Sequence, residues 1–347
     1  MPSLNIEQFG DLLKATLKNR KRTNYVSLLA DKTDYPAAKQ LLRKSRMMQS
    51  GGTSACTWEV EMPTQTSFAN ISITDQDQVD IRDAFVEANV EWRKSKTAYA
   101  FLEEEMSINR GEWEILKLIQ SREHRCDFDF VAGMEANFWN DPASTDTLTP
   151  FGLPYWAPKS ATQGFNGTVL SGFTSVAEIS TTTYPSWKSY TDAYTDPTLT
   201  DLIFKMRLMA EKTDFTPPVE AIPDLGKRGK RGYYGNIDTK MKFEDAVDSR
   251  NDNLGPDLAK NDNQVMFRGN PFSYVPYLDD DTTDPVYQID WGVFKIAVQS
   301  GWWQKRTVLA PWPGQRNMTG VFKDTLYNFI AFNRRLLGVI STGTTYP

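Results

Sequence analysis

The feature of this sequence that most constrains its fold is residues 53–105, about fifty residues with strand patterns but few large apolar side chains. At its start, polar residues alternate with apolar ones, which is typical of a half-buried strand. The apolar positions there are Cys56, Trp58, Val60 and Met62. Pro63 and the polar run 64–67 interrupt the pattern, and Ile71 and Ile73 form a second short alternating stretch.

An isolated pair of strands is only marginally stable in water, because it cannot bury enough apolar surface by itself. Residues 79–105 are charged and weakly periodic, so they add little to a private core. The segment must therefore dock on another surface. That surface is either the body of its own chain or a neighbouring subunit, and the sequence leaves both open.

The strongest helical signal follows at residues 112–139, which contain no proline and a single glycine, Gly133. Apolar residues spaced four or seven apart form one stripe along such a helix. They are Ile115, Ile119, Cys126, Phe130, Met134 and Phe138. At ~1.5 Å per residue the helix is roughly 42 Å long. Its polar middle, 121–125, predicts an exposed side, and residues 140–142 end it.

The N-terminal region and the middle of the chain hold shorter predicted elements. Short amphipathic helices are predicted within residues 4–48, one of them beginning at Pro36. Residues 141–195 are predicted to be rich in loops and turns. A second clear helix is predicted at 197–212, with Asp196 as its cap and Pro197 in its first turn.

The C-terminal half predicts mainly strands. The predicted elements are a strand at 233–237, a helix near 241–250, and strands at 264–268, 272–278, 286–290, 293–299 and within 321–340. Helices and strands are interleaved without a regular βαβ order or an internal repeat. The fold class is therefore predicted to be α+β.

The hydropathy and the charge distribution of the sequence limit where the protein can be located and what it can bind. No run of 18 apolar residues suggests a membrane-spanning helix, and the N-terminal stretch lacks the apolar run of a secretory signal. We therefore expect a protein made in a cytoplasm. Residues 1–50 hold ten Lys/Arg and four Asp/Glu, whereas the other 297 hold 29 basic and 40 acidic residues. A basic arm on an acidic body suggests contact with a polyanion or an acidic partner, unless it is a solvated helix face.

Few residues suit catalysis. The two cysteines, Cys56 and Cys126, match no metal-ligand spacing and no disulfide framework, so reduced thiols are expected. The only histidine, His124, lies in the polar middle of the long predicted helix, where an exposed helix residue is the favoured interpretation. Residues two apart point to different helix faces, so His124 and Cys126 are poorly placed to pair.

Two charged clusters have alternative interpretations. Residues 226–232, GKRGKRG, lack the spacing of a phosphate-binding loop; they form either a basic loop that touches nucleic acid or an acidic neighbour, or a surface loop. Residues 279–281 with Asp284 could bind a hard cation, but an acidic surface turn is favoured because the ligand alternation of a calcium loop is missing. Three matches to the glycosylation pattern are attributed to chance: Asn70, Asn166 and Asn317.

Carbohydrate chemistry is the remaining enzymatic alternative. The ten tryptophans could stack on sugars, and carboxylates distant in the chain could form an acid–base pair. Aromatic residues equally suit a core or a subunit interface. We therefore assign no catalytic, cofactor-binding or metal-binding residue, and we expect a protein without a cofactor that is not an enzyme.

Together, the order of these parts and several motifs resemble the major capsid protein of tailed bacteriophages. Residues 269–276, GNPFSYVP, resemble the Gly-x-Pro-Val strand turn of that family. Residues 233–247 are similar to its strand–turn–helix unit, and 285–303 to the strand–Asp–strand stretch that follows. FGLPYW (151–156) with GFNG (164–167) resembles a podophage-like subgroup.

The resemblance implies an α+β Hong Kong 97-like capsid fold. In that fold Phe272 stands where valine is usual, a conservative change on a buried strand. No separate scaffolding region is evident, which suggests that scaffolding comes from another protein or from the basic arm. The implied parts are a basic N-terminal arm (1–52), an extended loop (53–105), a peripheral domain with a long spine helix (106–144), a mainly axial domain (145–300) and a return to the peripheral domain (301–347).

The function implied by the resemblance is self-assembly into the pentamers and hexamers of an icosahedral shell around viral double-stranded DNA. Expected partners are copies of itself, portal and scaffolding proteins, an optional decoration protein, and DNA contacted weakly without sequence specificity; no membrane is expected. The location would be the virion, after assembly in the host cytoplasm. Candidate interface anchors, which equally suit a core, are Trp58, Trp92, Trp302 and Trp303. The alternatives are an encapsulin-like compartment shell protein and, less favoured, a carbohydrate-active enzyme.

Overall fold

The computed structural model describes residues 32–43, 47–50, 54–62, 85–102, 104, 112–215, 229–248, 266–309 and 317–342. They fall into two compact units. The smaller unit is drawn from Ser95–Gly133 and Gln304–Thr325, and the larger from Asp34–Lys94, Met134–Trp303 and Leu326–Pro347. No helix in these ranges is both long and apolar enough to cross a membrane.

The described residues form five α-helices and fourteen strands. The helices are α1 (Pro36–Leu41), α2 (Glu112–Trp139), α3 (Leu153–Trp156), α4 (Leu202–Lys212) and α5 (Ile237–Asp248). The strands are β1 (Met47–Ser50), β2 (Ala55–Glu61), β3 (Phe85–Glu91), β4 (Arg93–Leu102), β5 (Gly164–Gly167), β6 (Ser189–Tyr194), β7 (Arg231–Gly235), β8 (Met266–Phe267), β9 (Asn270–Tyr274), β10 (Val286–Asp290), β11 (Phe294–Gln299), β12 (Lys305–Leu309), β13 (Met318–Ala331) and β14 (Gly338–Thr342). Short 3₁₀ helices lie at Pro185–Trp187, Pro276–Leu278 and Arg334–Leu336.

The larger unit is built on a seven-stranded sheet with the order β5-β6-β14-β10-β7-β9-β8. Strand β14 pairs in parallel with β6 and antiparallel with β10, and β9 pairs in parallel with β7. The main core of this unit is apolar residues of α4 and α5 packed with residues of the strands. It includes Tyr190, Tyr194, Leu202, Ile203, Met206, Met209, Tyr233, Phe243, Phe267, Phe272, Val286 and Ile340.

Helix α4 carries the predicted apolar face, because Leu202, Ile203, Met206 and Met209 are all buried. The prediction that Pro197 begins this helix was wrong. The Asp201 carboxylate accepts hydrogen bonds from the backbone N–H groups of Thr195 and Asp196, which folds the preceding residues into a turn. The helix therefore begins only at Leu202.

A second sheet has the strand order β1-β11-β13-β12. In the larger unit, β1 pairs in parallel with β11 (Met47 opposite Ile296), and β11 pairs antiparallel with β13 (Phe294 opposite Ala331). In the smaller unit, β12 pairs antiparallel with β13 (Lys305 opposite Asp324). Strand β4 also pairs with β13. The N-terminal prediction was wrong at residues 47 and 48, which lie in β1 rather than in a helix. The helices predicted before Lys32 lie outside the described residues.

Helix α2 spans the 28 residues predicted for it. In the smaller unit its buried residues include Leu118, Cys126 and Phe130, and in the larger unit Met134 and Phe138. The Phe138 ring lies 5.3 Å from the rings of both Phe294 and Phe329. The predicted stripe is therefore buried at its last four positions; the side chains of Ile115 and Ile119 are outside the described set.

Several predicted boundaries differ in the C-terminal half; the strand predicted at 233–237, for example, lies at Arg231–Gly235, and Ile237 belongs to α5. The strand predicted at 272–278 ends at Tyr274, because Pro276 has no N–H for a ladder and begins a 3₁₀ helix. The stretch 321–340 is interrupted by a second 3₁₀ helix, where the Asn333 side chain accepts from the N–H of Arg335. Helix α5 begins at Ile237, four residues before its predicted start. The region 141–195, predicted as loops, also contains α3, β5 and β6.

A fully buried arginine joins several loops of the larger unit. Arg334 is 0% exposed, and its guanidinium donates to four backbone carbonyls. The acceptors are those of Trp156 (2.8 Å), Trp187 (2.7 Å), Gly167 (3.2 Å) and Thr168 (3.0 Å). Burial lowers the pKa of Arg334 to about 9. It is therefore charged at neutral pH, and the carbonyl dipoles replace the water that the cation lost on folding.

Candidate assembly site

The base of the predicted extended loop is an antiparallel ribbon of β2 and β3, which we call the arm ribbon (Ala55–Glu61 and Phe85–Glu91). Its strands pair along their whole length, from Ala55 opposite Glu91 to Glu61 opposite Phe85. One face is apolar and packs on the larger unit. The Trp58 ring lies 6.3 Å from that of Trp156 and 5.6 Å from that of Phe332. The arm ribbon is thus docked on the body of its own chain.

The opposite face of the arm ribbon is acidic and exposed. Glu59 lies directly opposite Glu87, and Glu61 lies opposite Phe85, which is 56% exposed. Within the described part of the chain, none of these three carboxylates forms an ion pair. Like charges placed opposite each other destabilise an antiparallel pair. This face is therefore not optimised for stability of the isolated ribbon.

A strained turn holds the edge of the arm ribbon. Val176 and Ile179 bond to each other through both backbone groups, and the two residues between them, Ala177 and Glu178, have φ of 53° and 65°. Asn89 of β3 donates its backbone N–H to Ala177 O (3.0 Å) and its side-chain Nδ2 to Glu178 Oε1 (3.1 Å). Left-handed backbone is costly for residues other than glycine, and such strain concentrates where structure serves function.

Buried side chains of the larger unit also hold the turn at residues 176–179. The Tyr155 hydroxyl accepts from the N–H of Ala177 (2.9 Å), and Trp187 Nε1 donates to Val176 O (3.1 Å). Two polar atoms of the ribbon, Trp58 Nε1 and Asn89 Oδ1, are buried and have no hydrogen-bond partner among the described residues. The ribbon is therefore positioned by packing and by the turn rather than by complete hydrogen bonding.

A buried carboxylate anchors helix α1, which lies within the predicted basic N-terminal arm. Glu135 of α2 is 0% exposed, and it accepts from the N–H groups of Ala37 (3.0 Å) and Ala38 (2.5 Å) at the start of α1. It also accepts from Trp139 Nε1 (2.7 Å). Burial raises the pKa of Glu135, against the opposing effect of these three donors. Nothing in the sequence singled out Glu135, because its two backbone donors, Ala37 and Ala38, lie 98 and 97 positions away.

The four tryptophans predicted as interface anchors differ in burial. Trp58 is 8% exposed and belongs to the packed face of the arm ribbon, so it is a core residue. Trp92, Trp302 and Trp303 are half-buried, and Lys94 Nζ lies 5.8 Å from the Trp302 ring centroid. Their role at an interface stays a prediction.

The prediction of a basic loop at 226–232 was wrong at its C-terminal end. Arg231 and Gly232 begin β7, and Arg231 is only 8% exposed. Its guanidinium donates to the carbonyls of Ala210 (3.0 Å) and Thr213 (2.8 Å), where it caps the C-terminus of α4. Residues 226–228 lie outside the described residues.

The acidic cluster at 279–284 supports local structure. Asp279 accepts from the N–H of Ile237 (3.1 Å) at the start of α5 and from the Tyr274 hydroxyl. Asp281 pairs with Lys159, and Asp284 accepts from Asn236 Nδ2 (2.5 Å). These carboxylates are consistent with the predicted acidic turn. Among the residues described, no group of three or more His, Cys, Asp or Glu side chains could hold a metal ion.

The remaining candidates are one histidine, two cysteines and the asparagines of the glycosylation pattern. His124 is exposed on α2. Cys56 and Cys126 are buried free thiols, and burial raises the pKa of Cys56 to about 11, so this thiol stays protonated at neutral pH. Asn166 donates its side-chain amide to Gln163 O, and Asn70 lies outside the described residues. These residues do not form a catalytic arrangement.

No family model and no curated protein matches the sequence. Solved structures match nearly its whole length. A structure described as the cyanophage A-1(L) capsid asymmetric unit has a TM-score of 0.65 at 14% identity, covering 95% of this chain and 98% of that chain. The chain has the fold of a phage capsid protein. A native GTA particle capsid (TM-score 0.54, 10% identity, 99% and 100% covered) and a Gordonia phage Cozz structure (0.52, 11%, 95% and 94%) match as well.

The phage capsid fold confirms the predicted mixed α+β class and the resemblance drawn from the order of parts. Identities of 10–14% leave little sequence in common. The order of elements was therefore a better guide than any single motif. The podophage-like subgroup and the names spine helix and axial domain stay predictions.

Proposed function

We propose that this chain is a major capsid protein that self-assembles into the pentamers and hexamers of an icosahedral shell enclosing viral double-stranded DNA. The observation that carries the proposal is the phage capsid fold, which extends over 95% of the chain in the cyanophage comparison. The role is structural rather than enzymatic.

The arm ribbon supports this proposal. Its apolar face packs on its own body, while its opposite face presents exposed glutamates and Phe85, which is 56% exposed. An extended element that presents one face beyond its own core suits overlap between neighbouring subunits of a closed assembly.

The parts of the subunit keep their predicted bounds in this proposal. They are the basic arm at 1–52, the extended loop at 53–105, the peripheral domain with its spine helix at 106–144, the mainly axial domain at 145–300 and the return to the peripheral domain at 301–347. The 28-residue helix α2 supports the assignment of a spine helix.

The proposed partners and location follow from a shell role. The chain would assemble with copies of itself in the host cytoplasm and reside in the virion, with portal and scaffolding proteins and an optional decoration protein. The excess of acidic residues after position 50 suits a wall that contacts packaged DNA weakly and without sequence specificity.

Negative-stain microscopy of the purified protein after size-exclusion chromatography tests the proposal. We expect shells, tubes or rings of five and six subunits. A monomer at every concentration up to about 1 mM, a range in which even weak association becomes visible, would overturn it.

A further inference from the structure

The seven-stranded sheet of the larger unit has two ends, β5 and β8, separated by five strands. The two ends therefore face opposite directions. Exposed strand edges pair with other chains unless they are protected. The side chains around the two ends differ in a complementary way.

At the β5 end, an arginine lies against two aromatic rings that also contact each other. The Arg335 guanidinium carbon lies 4.1 Å from the Phe215 ring centroid and 5.1 Å from that of Phe165 on β5. The two rings are themselves 5.7 Å apart. In the described chain Arg335 has no carboxylate partner. We call Phe165, Phe215 and Arg335 the arginine edge.

At the β8 end, apolar side chains are exposed beside two exposed carboxylates. Met266 on β8 is 51% exposed, and Ile237 and Met241, one turn apart on α5, are 37% and 43% exposed. Asp238 and Asp280 are exposed close to the start of α5. We call these five residues the methionine edge.

Helix α5 belongs to this end of the sheet because of its buried face. The Phe243 ring stacks on Phe272 of β9 at 5.5 Å and lies 6.3 Å from Phe267 of β8. This packing leaves Ile237 and Met241 on the outer side. Two lysines are also on α5: Lys240 pairs with Glu244 at 3.8 Å, and Lys242 is exposed.

We propose that the arginine edge of one copy binds the methionine edge of the next copy around a ring of subunits. The inference rests on the proposed shell function and names the surfaces that it uses. A ring needs two different, mutually complementary patches on each subunit. Arginine, methionine and phenylalanine are enriched at such interfaces, and the Arg335 charge is opposite to those of Asp238 and Asp280.

Charge reversal within one chain tests this pairing. Arg335→Glu, and separately Asp238→Lys with Asp280→Lys, are expected to lower the assembled fraction about tenfold, because like charges then meet. The triple variant should recover assembly to within about twofold of the unmodified protein, since the charges are opposite again. Mass photometry measures the assembled fraction, and the neutral Arg335→Gln variant should have a smaller effect than Arg335→Glu.

Two controls separate this interface from general effects. Arg207→Glu reverses an exposed charge on α4 outside both edges, and Leu148→Lys changes a side chain that is 79% exposed; both should assemble normally. Melting temperatures check that each variant folds. Normal assembly of either reversed variant, or no recovery in the triple variant, would overturn the pairing. If the unmodified protein itself stayed monomeric, the shell function would fall as well.

Discussion

Two neighbouring residues, Ala177 and Glu178, hold left-handed backbone conformations that glycine or asparagine usually occupies in two-residue turns. Residues 173–182 contain neither glycine nor asparagine, so no turn signal marked this position. What holds the conformation is the surrounding structure, through the Tyr155 hydroxyl and the packing of Val176. The strain became visible only in the backbone angles.

Replacing Glu178 by glycine should relieve part of this strain. The substitution also removes one exposed hydrogen bond to Asn89, which offsets only part of the gain. We therefore expect the melting temperature to rise by ~1–2 °C. Differential scanning fluorimetry measures the change. Thr182→Gly, at an exposed position without positive φ, is the matched control and should lower the melting temperature. A lower melting temperature for Glu178→Gly would show that the turn is not strained.

Arg334 is the second residue whose role depends wholly on tertiary structure. Lysine can supply charge but not the planar set of donors that reaches four carbonyls. We expect Arg334→Lys to lower the free energy of unfolding by ~3 kcal/mol, because buried carbonyls lose their donors. Urea denaturation measures this loss. Arg335 is next in sequence but half-buried, and its guanidinium has no backbone acceptor among the described residues; Arg335→Lys should change the free energy of unfolding by less than ~1 kcal/mol.

At the scale of elements, the arm ribbon shows what a pattern can and cannot predict. Alternation correctly placed β2 and its buried face, because side chains of a strand point alternately to two sides. It could not identify the surface beneath, since Trp156 and Phe332 lie far away in sequence. The sequence left open whether this segment docks on the body of its own chain or on a neighbouring subunit. The arm ribbon docks on the body of its own chain. The stretch with Ile71 and Ile73 lies outside the described residues.

Deleting residues 64–78 tests the outer part of this element. We expect a folded protein, because the contacts of Trp58 with the body are retained, but one that does not form closed shells. Circular dichroism reports folding and negative-stain microscopy reports assembly. If the deletion variant formed normal shells, residues 64–78 of the extended loop would not be needed for assembly.

The attachment of α1 depends on Glu135 and should depend on pH. Because burial raises the pKa of Glu135, the folded state binds the proton more tightly than the unfolded chain does. The contribution of Glu135 to stability is then largest below its ordinary pKa and is lost as pH rises through the raised value. We therefore expect Glu135→Gln to be more destabilising near pH 4 than near pH 7. Paired denaturation curves at the two pH values measure this, and the opposite trend would contradict it.

At the scale of the whole molecule, the fold class could be predicted because it depends on the order of elements. Helix α2 was predictable because its apolar stripe repeats over several turns. The boundaries of α4 and β9 were not, since Asp201 and Pro276 act through specific hydrogen bonds. The long-range contacts of Glu135 and Arg334 left no local pattern. Neither the composition nor any motif of the sequence indicated the proposed pairing of the arginine edge with the methionine edge.

The uneven charge of the chain predicts how particles should hold nucleic acid. Residues 14–22 contain five basic and no acidic residues. We expect that changing these five to glutamine lowers the nucleic acid retained by particles and weakens its dependence on salt, because fewer phosphates are neutralised. The ratio of absorbance at 260 and 280 nm measures this. A control with the same charge change uses exposed residues of the body: Lys94, Lys96, Arg207, Lys212 and Lys242.

The position of β14 has a consequence for synthesis on the ribosome. This strand joins β6 to β10 near the middle of the seven-stranded sheet, yet its residues 338–342 emerge after those of all the other strands of that sheet. During translation the sheet can form only as two separate halves, each with an open edge. A nascent chain that stops before residue 338 cannot close the sheet.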